Sequence, residues 1–114
     1  MARAIVYTEL GSPDVLQLVD IPDPVAGPGE VVVRIEAAGV NPLDAKRRSG
    51  KRPMPPITEP RRVGFDGAGV IESVGEGVTG FAVGDRVAVR DAVGTYATHV
   101  AIAADHLYPL PDSV

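Results

Sequence analysis

Gly75-Glu76-Gly77-Val78-Thr79-Gly80 has the spacing G-x-G-x-x-G. After a strand and before a helix, that spacing lets backbone amides and a helix N-terminus meet a pyrophosphate. The setting is wrong here. Phe81-Ala82-Val83-Gly84-Asp85 follows with no helical pattern, and Thr95 to Ala101, where a ribose-binding acid would fall, contains no acid. The six residues are expected to form a turn between strands. Thiolate chemistry is excluded, because the chain has no cysteine. Its two imidazoles, His99 and His106, have no metal-ligand spacing, so no metal site is expected.

Two other stretches hold polar groups at useful spacing. Asn41-Pro42-Leu43-Asp44 puts an N-cap residue, a proline at the first helical position and an acid at N3, next to the positive end of a helix. With Gly50 just past its end, a short helix over about 42–48 is expected. From Lys46 to Arg62 come Lys46, Arg47, Arg48, Lys51, Arg52, Arg61 and Arg62 against one acid, Glu59. This segment nets +6 and the remainder nets −10. Burying so many cations costs too much desolvation. Pro53, Pro55, Pro56 and Pro60 deny the stretch regular hydrogen bonding. A mobile loop is expected, rimming the region between its anchors, either simply solvated or attracting an anion.

The elements that must position these groups are mostly strands. In EVVVRIEAAGV, Val31, Val33 and Ile35 alternate with Glu30, Arg34 and Glu36, the period of a half-buried strand. AIVYT (4–8) and LQLVD (16–20) are shorter candidates, separated by the turn Gly11-Ser12-Pro13-Asp14. GFDGAGVIESVG, the end of GVTGFAVGDRVAV, GTYATHVAIA and HLYPLP supply the rest. Many short strands imply a mainly β fold. The 114 residues are expected to be one domain, and with aromatics at 4% its core must be aliphatic. A net charge of −4 argues against nucleic acid as a partner. No stretch approaches the roughly 18 apolar residues of a membrane helix. No membrane partner is expected. With no signal-peptide pattern and no cysteine, a cytoplasmic location is expected.

Three stretches, AIVYTELGSPDVLQLVDIPDPVAGPGEVVVRIEAAGVNPLDAKRRSG, VGFDGAGVIESVGEGVTGFAVGDRVAV and GTYATHVAIAADHLYPLP, cover nearly the whole chain in order. Together they resemble the N-terminal domain of medium-chain dehydrogenase/reductases, in the zinc-free quinone oxidoreductase (zeta-crystallin-like) branch. The resemblance implies a GroES-like, partly open β-barrel with one or two short helices. Residues 1–114 would be the substrate-side domain of an NADPH-dependent quinone or enone reductase, with the Rossmann domain absent from this chain. It also implies that the chain alone is inactive and that the complete protein is a homo-oligomer. A stand-alone GroES-like binding module without catalysis is the competing expectation.

Site residues follow from the same resemblance. Zinc-dependent members carry Cys where Asn41 stands and His where Phe65 stands. Asn is a poor zinc ligand and Phe is none, so zinc-independence is implied. Asn41 would sit beside the nicotinamide or substrate. Lys46 takes a position where many zinc-free relatives carry Tyr, and would meet the cofactor or an anion as a point charge. Asp44 matches the acid of the N-P-x-D segment, with helix-dipole stabilisation as its alternative role. Phe65 would line the cleft or join the core. Asp66 would face the cleft or hold a turn. Asn41, Asp44, Phe65 and Asp66 are thus the cleft candidates, with Asn41 and Lys46 the cofactor contacts. No residue is assigned the catalytic step. Gly67 and Gly69 are expected to permit close strand packing, and Asp85 to hold a turn.

Overall fold

The computed structural model describes residues 2–114. Strand β1 (Ala2–Tyr7) pairs antiparallel with β2 (Gln17–Ile21), Ala4 opposite Val19. The expected turn between them contains a 3₁₀ turn at Pro13–Val15. The long alternating segment is β3 (Glu30–Ala38), and it is followed by helix α1 (Pro42–Ser49). Next come β4 (Arg61–Arg62), β5 (Gly67–Val74), β6 (Arg86–Val89), β7 (His99–Ala103), a 3₁₀ turn at Ala104–His106, and β8 (Leu107–Pro109).

The strands form a small sheet in the order β2-β1-β4 and a larger one in the order β7-β3-β5-β6-β8. Every pairing is antiparallel. β3 lies between β5 and β7, and its pairing with β5 shifts register twice, between Val32 and Val33 and between Ile35 and Ala37. Such irregularities bend a strand and raise its twist, which curls the larger sheet. Gly69 lets β5 approach: a Cβ there would lie 2.0 Å from the Arg34 carbonyl oxygen. The inner face collects Val31, Val33, Ile71, Val87, Val100 and Ile102, an aliphatic core. The architecture is the expected mainly β one, and it is not a closed barrel.

Residues 94–103 were expected to make one strand, but only the second half does. The first half belongs to a segment that joins three partners. The N–H groups of Ala92, Gly94 and Tyr96 donate to the carbonyls of Phe65, Gly64 and Val63 at 2.9, 3.1 and 2.9 Å. Farther along, Ala97 bridges Ala4 of β1. Ile5 N–H donates to the Tyr96 carbonyl at 2.8 Å and Thr98 N–H to the Arg3 carbonyl at 2.9 Å. On the other side, Ile35 N–H of β3 donates to the Thr98 carbonyl at 2.8 Å. Residues 96–98 therefore form a seam between the two sheets.

The basic segment needs a correction as well. Residues 51–60 are exposed almost throughout, as desolvation cost requires. Arg61 and Arg62, however, do make regular hydrogen bonds, pairing with Tyr7 and Val6 at the open edge of β1. Proline forbids a strand only where it sits, and this pair lies just beyond Pro60. The G-x-G-x-x-G run is the expected turn: Gly75 N–H donates to the Glu30 carbonyl at 2.7 Å, and no helix follows. Asp85 also holds a turn, accepting from Ala82 N–H at 2.9 Å. Among the described residues no helix is long and apolar enough to cross a membrane.

Candidate functional site

The end of β3 and the start of β5 are paired, Ala38 opposite Gly67. That pairing brings together two segments 25 residues apart in sequence, the lead into α1 and the lead into β5. Asn41 Nδ2 donates to Asp66 Oδ1 at 3.1 Å, and Gly39 N–H donates to the Asp66 carbonyl at 2.9 Å. The Asn41 amide thus engages Asp66, a contact that N-cap chemistry alone does not foresee. The capping box is completed from the other side, where Asp44 Oδ2 accepts the Asn41 backbone N–H at 3.0 Å.

Asp44 does more than face the helix dipole. It is buried, and Oδ2 also accepts from the Tyr96 hydroxyl at 3.0 Å. The four residues form a hydrogen-bonded line, Asp66, Asn41, Asp44 and Tyr96, in which Asn41 reaches Asp66 through its amide and Asp44 through its backbone N–H. Burial, first, and then the Asp44 carboxylate, by hydrogen bond and by charge, push the Tyr96 phenol up to about 12 from the usual 10.0, with a smaller contribution from Asp66. Tyr96 is therefore a fixed donor at neutral pH. Its position depends on Gly64, whose φ is +107° and whose Cβ, if present, would lie 2.3 Å from Thr95 Oγ1 and 2.8 Å from the Tyr96 ring.

Phe65 is half-buried, and the Arg47 guanidinium lies over its ring, 5.1 Å from the centroid. Lys46 is exposed on α1, so the neighbouring Arg47 is the helix cation that reaches Phe65. Arg48 is committed elsewhere: its Nη1 donates to the Gly11 carbonyl, and Gly11 N–H donates to the Arg48 carbonyl at 3.0 Å. Arg62 Nη2 donates to the Gly94 carbonyl at 3.3 Å, and burial lowers its pKa. Beside these groups runs a groove of about 510 Å³ lined by Tyr7, Arg47, Met54, Pro55, Arg61 and Arg62, among others. The two imidazoles lie apart from the site. His99 Nε2 is 3.2 Å from Glu72, which also pairs with Arg34 at 3.4 Å, and His106 is 3.9 Å from Asp105. Among the described residues no group of three or more His, Asp or Glu side chains is placed to hold a metal ion.

Residues 27–112 match the family model of the alcohol dehydrogenase GroES-like domain. The chain belongs to that family. Within it, the similarity is to quinone oxidoreductases. The quinone oxidoreductase of Pseudomonas aeruginosa is 41% identical over 115 residues, covering 100% of this chain and 35% of its own. The crystal structure of the Pseudomonas syringae quinone oxidoreductase superposes with a TM-score of 0.90 at 43% identity, covering 100% of this chain and 35% of that one. The Escherichia coli quinone oxidoreductase, solved in complex with NADPH, superposes with a TM-score of 0.88 at 32% identity, covering 100% and 34%. This GroES-like domain spans about a third of the length of the relatives it matches.

Of the residues expected in the site of this GroES-like domain, Asn41, Asp44 and Asp66 share one hydrogen-bonded line, and Phe65 stands beside it under Arg47. Sequence reasoning missed Tyr96. The signal for Tyr96 was present: in a chain with three tyrosines, one sits within Gly94-Thr95-Tyr96 next to a glycine-limited turn. Arg47 and Arg62 were legible as members of the basic run expected to be solvated or to attract an anion, but not their stacking on Phe65 and bonding to Gly94.

Proposed function

We propose that this chain is the substrate-side domain of an NADPH-dependent, zinc-independent reductase of quinones or enones, working in the cytoplasm as a homo-oligomer. The observation that carries the reading is the Asp66–Asn41–Asp44–Tyr96 line beside Phe65, in a family whose quinone-reducing members match it along its whole length. The groups at this site suit the nicotinamide end of NADPH. Asp66 borders an open hollow of about 500 Å³ whose other walls include the small residues Ala37, Ala38, Gly39 and Ala68, which leave a planar ring room to lie flat. They do not suit the pyrophosphate, because the only α-helix among the described residues begins under the Asp44 carboxylate. A separate Rossmann domain is therefore required to hold the cofactor.

NADPH, when bound, would supply a hydride to an electrophilic carbon of the acceptor. The chain's own residues position the acceptor. Phe65 offers a flat apolar face and excludes water. Asn41, fixed by Asp66, presents its amide toward a carbonyl. Asp44 fixes Asn41 through the backbone and Tyr96 through its hydroxyl. Lys46, exposed at the rim, contributes a mobile positive charge toward the cofactor. With Asn41 and Phe65 where zinc-dependent relatives carry ligands, the acceptor must be electrophilic already, as quinones and enones are.

Steady-state assay of the complete protein with NADPH and a panel of quinones and enones tests this. Turnover without added zinc is expected, and Asn41→Ala should lower kcat by at least about tenfold if it orients the reacting carbonyl. Strict zinc dependence, or no hydride transfer to any acceptor, overturns the reading. Residues 1–114 alone should fold and show no reductase activity. Titration calorimetry giving them micromolar affinity for NADPH would overturn the division of labour between domains.

A further inference from the structure

We propose that Arg47 and Arg62 form an oxyanion subsite in the groove beside Phe65, and that it selects electron acceptors carrying a carboxylate on an apolar ring. The inference rests on the reductase reading above and names its substrate class.

Both arginines are held by the fold. Arg62 stands in β4 against β1, with one amino group on the Gly94 carbonyl, and Arg47 projects from α1 over Phe65. Each has its Nε atom shut off from solvent with no hydrogen-bond partner among the described residues. No carboxylate among the described residues pairs with either guanidinium. A half-buried guanidinium without a carboxylate partner is costly, and a ligand carboxylate in the groove offsets that cost by pairing with the terminal amino groups, the buried Nε atoms staying out of its reach. Stacking uses only the face of the Arg47 guanidinium, so its in-plane donors stay available.

The cavity between the two side chains, which Asp44 also borders, is about 20 Å³, enough for a single water. The ligand must therefore sit in the groove outside it. There Arg47, Arg61 and Arg62 face the single acid Glu59, which leaves the lining positive. Arg61 Nη2 donates to the Pro55 carbonyl and Arg62 Nη2 to the Gly94 carbonyl, whereas the Arg47 side chain makes no hydrogen bond among the described residues, so Arg47 is the main donor and Arg62 adds its second amino group. The remaining wall, Tyr7, Met54, Pro55, Pro56 and Pro60, is largely apolar, and about 510 Å³ suits one small ring system. An apolar wall next to two guanidinium groups that no carboxylate among the described residues neutralises matches an aryl or quinonyl carboxylate better than the fully polar phosphates of a cofactor.

The test uses 3-(1,4-naphthoquinon-2-yl)propanoate and its methyl ester, which share a ring and differ in charge. With the complete protein, kcat/KM should favour the acid over the ester by about tenfold, a charge-assisted pairing read as specificity. That ratio should approach one in Arg47→Gln and Arg62→Gln, with the loss in KM for the acid, and it should shrink as salt rises. Equal loss for acid and ester, an unchanged ratio, or a rise in the KM for NADPH instead overturns the subsite. Arg47 is on a helix surface, so its variant keeps the test alive if Arg62→Gln fails to fold. If the complete protein reduces no quinone, the reductase reading fails, and the subsite is then judged by calorimetric binding of the propanoate to wild-type and Arg47→Gln protein. Binding that weakens about tenfold in the variant upholds the subsite, and equal or absent binding overturns it.

Discussion

Tyr96 and Asp44 are 3.0 Å apart, and the two have opposite electrostatic interests. A phenolate beside a buried carboxylate is doubly unfavourable, so the folded state keeps the phenol proton to about 12, where the unfolded chain releases it at the usual 10.0. Between these values the native state binds more protons than the unfolded state, and stability falls as pH rises. The contribution is intact below pH 10.0 and lost as the pH passes about 12. Absorbance titration at alkaline pH should show one of the three tyrosines ionising last, and Tyr96→Phe should remove that step and flatten the alkaline loss of stability. Were the late step to persist in the variant, another tyrosine would be responsible. At this scale the sequence was legible in part. Asn41 and Asp44 announced themselves through helix-capping spacing, which is local. The Asn41–Asp66 and Asp44–Tyr96 contacts span 25 and 52 positions and depend on strand register, which no local pattern encodes.

Among the elements, the lead from β4 into β5 carries the most constraint. Val63, Gly64 and Phe65 offer their carbonyls to the 92–96 segment, and Gly64 at φ +107° makes that close approach possible. Gly64→Ala adds a left-handed backbone penalty to a Cβ 2.3 Å from Thr95 Oγ1 and should cost about 3 kcal/mol by urea denaturation. Because Tyr96 shares the displaced segment, its high alkaline step should move toward the ordinary value in the same variant. A cost under about 1 kcal/mol would show that the segment yields easily. Strands β1, β3 and β5 and helix α1 were readable because period and capping are properties of short windows. β4 was not readable. It is two arginines after a proline, and only the unpaired edge of β1 makes them a strand.

The molecule as a whole separates charge from packing. Its core is aliphatic and sits in the larger sheet, while the basic stretch 51–60 remains outside. The composition had already required both, since few aromatics were available and seven cations could not be buried together. The seam at residues 96–98 adds something composition could not. The amides of Ile5, Ile35 and Thr98 all bond within this short segment or across it, one set reaching the small sheet and the other the large. The small sheet cannot swing away without breaking its bonds to a segment that the large sheet also holds, so the two should open as one cooperative unit. In native-state hydrogen–deuterium exchange, Ile5, Ile35 and Thr98 should therefore exchange as slowly as Ile71 in the core, with the full denaturant dependence of global unfolding, while amides in 51–60 exchange quickly. Faster exchange at Ile5 and Thr98 than at Ile71 would mean that the small sheet detaches alone, making the seam a hinge instead of a weld.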